Sequence, residues 1–320
     1  MNQGLSQVYS WAHSFSRRAA LLVILIFAIL NFFDLSLSLS VQLVIALIAL
    51  VLGIPHGAID HLITLPKVPR AKFITFIVIY VLVAIAAGLA IANWNRVGFQ
   101  IVVLMSSLHF GFGDAAYFNE WREAKSKKRD SFIIGTIYAI PAGFLPVVLP
   151  LTDHRVLSAL DRINPRIANW AGTLTSTFRV TTLFFAAIAF LVLIIARRLQ
   201  KALDLVLLGC LSLIAPPLIT FAIYFGCWHA VRHTARLVPK LPKAMLQIHK
   251  GAPGTAIWQA IIPGLYAVVG TLALATGLVL FARSHFSYGL LWSTLVIVWS
   301  LTVPHMATTA RFDLSSFKVS

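Results

Sequence analysis

Residues 203–233 read LDLVLLGCLSLIAPPLITFAIYFGCWHAVRH, and how this run divides decides the fold. It is apolar almost throughout and too long for one ordinary membrane span, which takes about 20 residues at about 1.5 Å of rise each. Pro216-Pro217 stands near its middle, where missing N–H groups and a restricted preceding residue disfavour a continuous helix. The run reads as one kinked helix or as two short ones. His229 and His233 close it, four residues apart and therefore on one helical face.

Outward from this run the chain stays apolar. Hydrophobic residues make up 59% of the 320, charged residues only 11%, and the mean hydropathy is +0.87, far from an average soluble domain. Further spans are expected near 19–33, 41–60, 73–93, 97–117, 131–150, 180–196, 255–281 and 288–308. The chain thus predicts an all-α, polytopic transmembrane helical bundle of about 8–10 membrane segments, one of them broken at Pro216-Pro217. Residues 151–179 hold Asp153, Arg155, Asp161, Arg162 and Arg166 and read as an interfacial connection. With no internal repeat or linker, residues 1–320 form one membrane domain. Residues 1–40 are its anchor region, where Arg17-Arg18 precede an apolar run that carries no cleavage pattern.

The charge points to lipid rather than nucleic acid. Lys and Arg number 26 against 10 acids, a net +16, and the basic residues fall mostly between apolar runs. Anionic headgroups and membrane orientation explain that pattern. If the Pro pair separates two segments, the basic connections at 67–72, 122–129, 197–201 and 232–250 all fall on the cytoplasmic side. The sparse ones at 35–40, Arg96 and Arg283 then fall outside, and only 151–179 breaks the rule. A multi-pass integral membrane protein is expected. Cys210 and Cys227 lie in apolar stretches and imply no disulfide framework.

Six of the ten histidines lie in or beside these spans: His56, His61, His109, His229, His233 and His305. Imidazole in hydrocarbon is costly, so such rings face the bundle interior and mark a site, and neutral imidazole is the commonest metal ligand. His56 between Pro55 and Gly57 implies a locally opened helix. Asp60 follows His56 by four residues and Asp114 follows His109 by five, each suited to accept a ring N–H behind a ligating histidine, or else to pair with an arginine or cap a helix end. The two glutamates, Glu120 and Glu123, lie in a charged connection, so a Glu-rich di-iron bundle cannot be assembled in the membrane. The competing readings are a solvated patch for His229 and His233 beside Arg232 and Arg236, and a structural histidine for His109. Phe110, Phe112, Phe221, Tyr224, Phe225 and Trp228 stand near the motifs, either as ordinary packing or as the lining of a tunnel.

Together these motifs resemble the Brp/Blh-type β-carotene 15,15′-dioxygenases, membrane enzymes that make retinal. The resemblance runs from about Leu52 onward. It rests on Gly53 to Asp60, His109-Phe110-Gly111 with Asp114, Pro216-Pro217 through Thr220-Phe221 and Tyr224-Phe225 to His229 and His233, and Thr302 to Met306. It implies Fe(II) held by His56, His109, His229 and His233, with β-carotene or a related carotenoid and O2 as substrates. Membrane lipid would surround the chain, and a retinal-binding rhodopsin is a partner that such a product implies. His305 lies in a matching motif, behind the ligands or in packing, and His61 is taken as an interfacial residue rather than a ligand. Two other readings stand beside this one. A histidine-rich di-iron hydroxylase or desaturase usually needs about eight clustered imidazoles, and His-x-x-His-His boxes are absent here. A metal or proton transporter should spread polar residues across the membrane depth.

Overall fold

The computed structural model describes residues 2–59, 68–281 and 289–317. Asp60 and His61 lie outside the described residues. The chain is helical with no strand among the described residues, as the apolar periodicity predicts. Among the described residues, seven helices are long and apolar enough to cross a membrane: Gln3–Phe32, Leu39–Gly57, Arg70–Asn93, Asn95–Ala124, Gly172–Ile195, Pro253–Gly277 and Leu291–Ser315. Shorter pieces complete the bundle, namely Phe132–Val147, Leu199–Ile214 and the helical run from Pro217 to Leu237.

We number the helices that matter for the site α1 (Asn2–Phe32), α2 (Leu39–Gly57), α3 (Asn95–Ala124), α4 (Phe132–Val147), α5 (Leu199–Ile214), α6 (Pro217–Ala222), α7 (Ala230–Leu237) and α8 (Gly289–Ser315). The long run breaks at the proline pair. Helix α5 ends at Ile214, and Ala215 and Pro216 are extended, with ψ of 153° and 148°, because each precedes a proline. Pro217 then opens α6 at a position where its missing N–H costs nothing. A π-helical segment, Ile223–His229, joins α6 to α7 and delivers the histidine pair. Such widened turns recur at functional sites.

Helix ends gather on two faces. On one, Arg198 and Lys201 reach Asp130 at 2.6 and 2.9 Å, and Tyr9 donates to Glu120 at 3.2 Å. Burial pushes the Asp130 carboxyl up, but Lys201, Arg122 and Arg198 outweigh burial and hold it below the ordinary carboxylate range. On the other face Asn31 donates to the Ile214 carbonyl at 3.1 Å, Gln100 to Trp170 at 2.6 Å and Arg162 to Ser40 at 3.3 Å. The turn at Pro216 therefore lies opposite the basic connections, so α5 and the Pro217–Leu237 run are two passes.

Three expectations need correction. Pro55 does not break α2, which continues through it and stops at Gly57. Glu120 and Glu123 are not in a loop, because α3 runs on to Ala124. Helix α8 likewise runs to Ser315, which brings Asp313 into a histidine-bearing helix. The closest packing joins α3 to α4. A Cβ on Gly111 would stand 1.9 Å from the Ala139 carbonyl oxygen, and one on Gly143 1.7 Å from that of Ser107. The two backbones touch, as small residues permit between membrane helices.

Candidate metal centre and its cavity

Five imidazoles from four parts of the chain meet in the bundle. His56 comes from the last turn of α2, His109 from the middle of α3, His229 from the end of the π-helical segment, His233 from α7 and His305 from α8, one residue after Pro304. All are buried, none more than 7% exposed. His56 lies 5.1 Å from His229, 5.2 Å from His233 and 5.7 Å from His305, ring centre to ring centre. His109 lies 5.0 Å from His305 and 5.2 Å from His229, and His229 lies 5.8 Å from His233. Two imidazoles bound to one ion at about 2 Å have ring centres about 5 Å apart.

The nitrogens carry a second sign. His56 Nδ1, His109 Nε2, His229 Nε2 and both nitrogens of His233 are buried with no hydrogen-bond partner. Buried polar atoms are nearly always paired, so several orphans in one cluster mark a place for a ligand. As the rings stand, no group of three or more His, Cys, Asp or Glu side chains among the described residues converges tightly enough to hold an ion. Backbone and χ1 together set where each ring centre lies, and rotation about the broad terminal torsion turns the nitrogens without moving those centres.

A cavity of about 390 Å³ opens against this cluster. His56, His109 and His305 stand in its wall, and almost everything else there is apolar. Along α2 the lining runs from Ala58 back to Leu43, roughly 22 Å at the helical rise. At the far end the lining includes Leu160, Ile163 and Ile167, from the short helices Val156–Ile163 and Pro165–Ala168 of the connection read as interfacial. That connection is part of the cavity, which its charged residues hid. Gly53 lets the wall close, since a Cβ there would fall 2.0 Å from the Phe225 ring.

Residues 47–313 match the β-carotene 15,15′-dioxygenase family. The chain belongs to that family. It is 28% identical over 267 residues to a protein named β-carotene 15,15′-dioxygenase from an uncultured marine bacterium (66A03), a match covering 80% of this chain and 88% of that protein. It is 26% identical over 314 residues to a probable β-carotene 15,15′-dioxygenase of Halobacterium salinarum, covering 83% of this chain and 82% of the relative. No solved structure matches.

Of the six aromatics read as candidate lining in this dioxygenase-family chain, Phe110, Phe221 and Phe225 line the cavity. Phe110 also packs 4.3 Å from His229. The other three do not line it. Phe112 lies two positions, about 200° of helix, from Phe110 and stacks on Phe132. Tyr224 is fully buried behind Phe110, and Trp228 covers the Arg232 guanidinium at 3.9 Å.

Asp114 does not stand behind His109. Five residues turn a helix by about 500°, so the two side chains leave α3 about 140° apart. Asp114 instead accepts from Trp228 Nε1 at 2.7 Å and lies 3.6 Å from Arg232, which also binds Asp204 at 2.9 Å. Arg232 and Arg236 are not a solvated patch, for both are 1% exposed. Arg236 makes two 3.0 Å bonds to Glu120 and one of 2.6 Å to Asp313. Among the described residues, the carboxylate that approaches a cluster histidine is Asp313, 3.9 Å from His109 Nδ1. Its signal was the spacing His305, Thr309, Asp313, every fourth residue on one face of α8.

Proposed function

We propose that this chain is a carotenoid-cleaving, non-haem iron dioxygenase that splits β-carotene at its central 15,15′ double bond with O2 to give two molecules of retinal. The observation that carries it is the cluster of buried imidazoles with orphaned nitrogens in the wall of a long apolar cavity. Family membership supports the substrate class, which the relatives' names supply.

His56, His109, His229 and His233 would hold Fe(II), a neutral four-histidine donor set that suits this metal and leaves coordination positions open. Bound iron supplies the activation of O2 that an alkene cannot achieve alone. The rest is positioning. The substrate is insoluble in water and lives in the hydrocarbon layer, so a bundle within that layer collects it without an aqueous step. Phe110 and Phe225 sit between the histidines and the apolar arm, where their rings fix the polyene's depth, and Leu160, Ile163 and Ile167 stop its far end. Depth of insertion then selects the double bond, and the apolar wall excludes water.

The basic face of the bundle is assigned to the cytoplasm of a prokaryotic cell, with anionic lipid around it and a retinal-binding rhodopsin as one acceptor of the product. A di-iron hydroxylase is less well supported, because Glu120 is engaged by Arg236 and Tyr9 and the cluster holds five imidazoles rather than about eight. A transporter is less well supported because the histidines gather at one depth.

The test is co-expression in cells that accumulate β-carotene, followed by pigment extraction. Bleaching with retinal is expected. Unchanged β-carotene, or hydroxylated carotene, would refute the reading.

A further inference from the structure

His109 has two nitrogens in different surroundings, and what lies behind the ring decides which one is available. Three residues of α8, His305, Thr309 and Asp313, share the face turned toward it, and Thr309 and Asp313 are buried at 4% and 2% exposure. Thr309 has a single hydroxyl proton, which it donates to the His305 carbonyl at 2.8 Å. Its lone pairs are left for His109 Nδ1, 3.4 Å away. Asp313 Oδ2 lies 3.9 Å from the same nitrogen, while its other oxygen accepts from Arg236 at 2.6 Å. Arg236 is itself clamped by Glu120, which Tyr9 of α1 holds from the far side.

We propose that Thr309 and Asp313 act as positioning residues that place the proton of His109 on Nδ1 and so present Nε2 as a lone pair to the centre of the cluster. This rests on the reading of that cluster as an iron site. Two independent features agree on it. An oxygen whose proton is spent elsewhere and a nearby carboxylate both favour N–H at Nδ1. The other tautomer would set a ring lone pair against the Asp313 oxygen, require the Thr309 hydroxyl to leave its bond to the His305 carbonyl, and bury an N–H at Nε2, where the described residues offer no acceptor. The nitrogen that lacks a partner is therefore the one that ligates. Through Arg236, Glu120 and Tyr9 the arrangement is tied to α1, which lies outside the matched residues 47–313.

The test uses purified full-length protein as wild type, Thr309→Ser, Thr309→Val and Asp313→Asn. Iron affinity is measured by competition with a chelator, and the His109 tautomer by nitrogen NMR of histidine-labelled, metal-free protein, with His109→Ala assigning the signal. Thr309→Ser should match wild type in both. Thr309→Val and Asp313→Asn should bind iron about 10 to 100-fold more weakly, the usual loss when a ligand's partner is removed. In Thr309→Val the proton should no longer be confined to Nδ1. Wild-type iron affinity in Thr309→Val would overturn the assignment, as would weakened iron and lowered thermal stability with an unchanged tautomer, which would make Thr309 a packing residue. A wild-type chain that takes up no iron would refute the metal reading itself and this inference with it.

Discussion

Trp228 and His229 are neighbours in sequence and serve different parts of the molecule. The indole lies over Arg232 and donates to Asp114, while the imidazole turns into the cluster. Replacing a ligand should therefore differ in kind from replacing a buried ion partner. Alanine at His56, His109, His229 or His233 should abolish turnover and remove most bound iron, with about one iron per chain in the wild type by elemental analysis. Asp114→Asn should instead lower stability by on the order of 3 kcal/mol, because Arg232 loses a buried counter-charge. Iron per folded chain should stay near wild type in that variant, as thermal unfolding and metal analysis of one sample would show. The histidines were legible because imidazole in an apolar run demands a reason. The carboxylate partner was not, since a separation of five residues looks close in sequence and lies on another face of the helix. Asp313 was missed because the span was ended at 308, where hydropathy falls but α8 does not.

Among elements, the break at Pro216 and the contact between α3 and α4 place the clustered histidines. The break was legible from the two prolines and the length of the run. The contact was not, because a glycine in a sequence does not reveal what approaches it. Gly143→Ala would drive a Cβ to 1.7 Å from the Ser107 carbonyl oxygen, two residues before His109. It should cost at least about 1–3 kcal/mol and lower the yield of folded protein. Iron affinity should fall with it, since the backbone that carries His109 must shift; folded yield and chelator competition measure the two effects. The π-helical segment was also hidden, for nothing in Ile223–His229 separates a widened turn from an ordinary one.

For the whole molecule, the alternation of basic and sparse connections anticipated which helix ends meet. Asp130 gathers Arg122, Arg198 and Lys201 from two connections placed on one side by charge alone. Cysteines introduced at 239–251, with Cys210 and Cys227 replaced, should resist an impermeant thiol reagent in intact cells and react once the cytoplasmic face is opened. Labelling from outside would reverse the assigned orientation. What charge could not reveal is that the connection at 151–179 folds back to line the cavity. On the proposed function, the extent of that cavity ties the histidine cluster to one bond of a long polyene. The most direct test is the product stoichiometry of purified, iron-loaded protein supplied with β-carotene and O2. Two retinal molecules per β-carotene consumed is the predicted result; apocarotenals of unequal length, or a hydroxylated carotene of intact length, would contradict it.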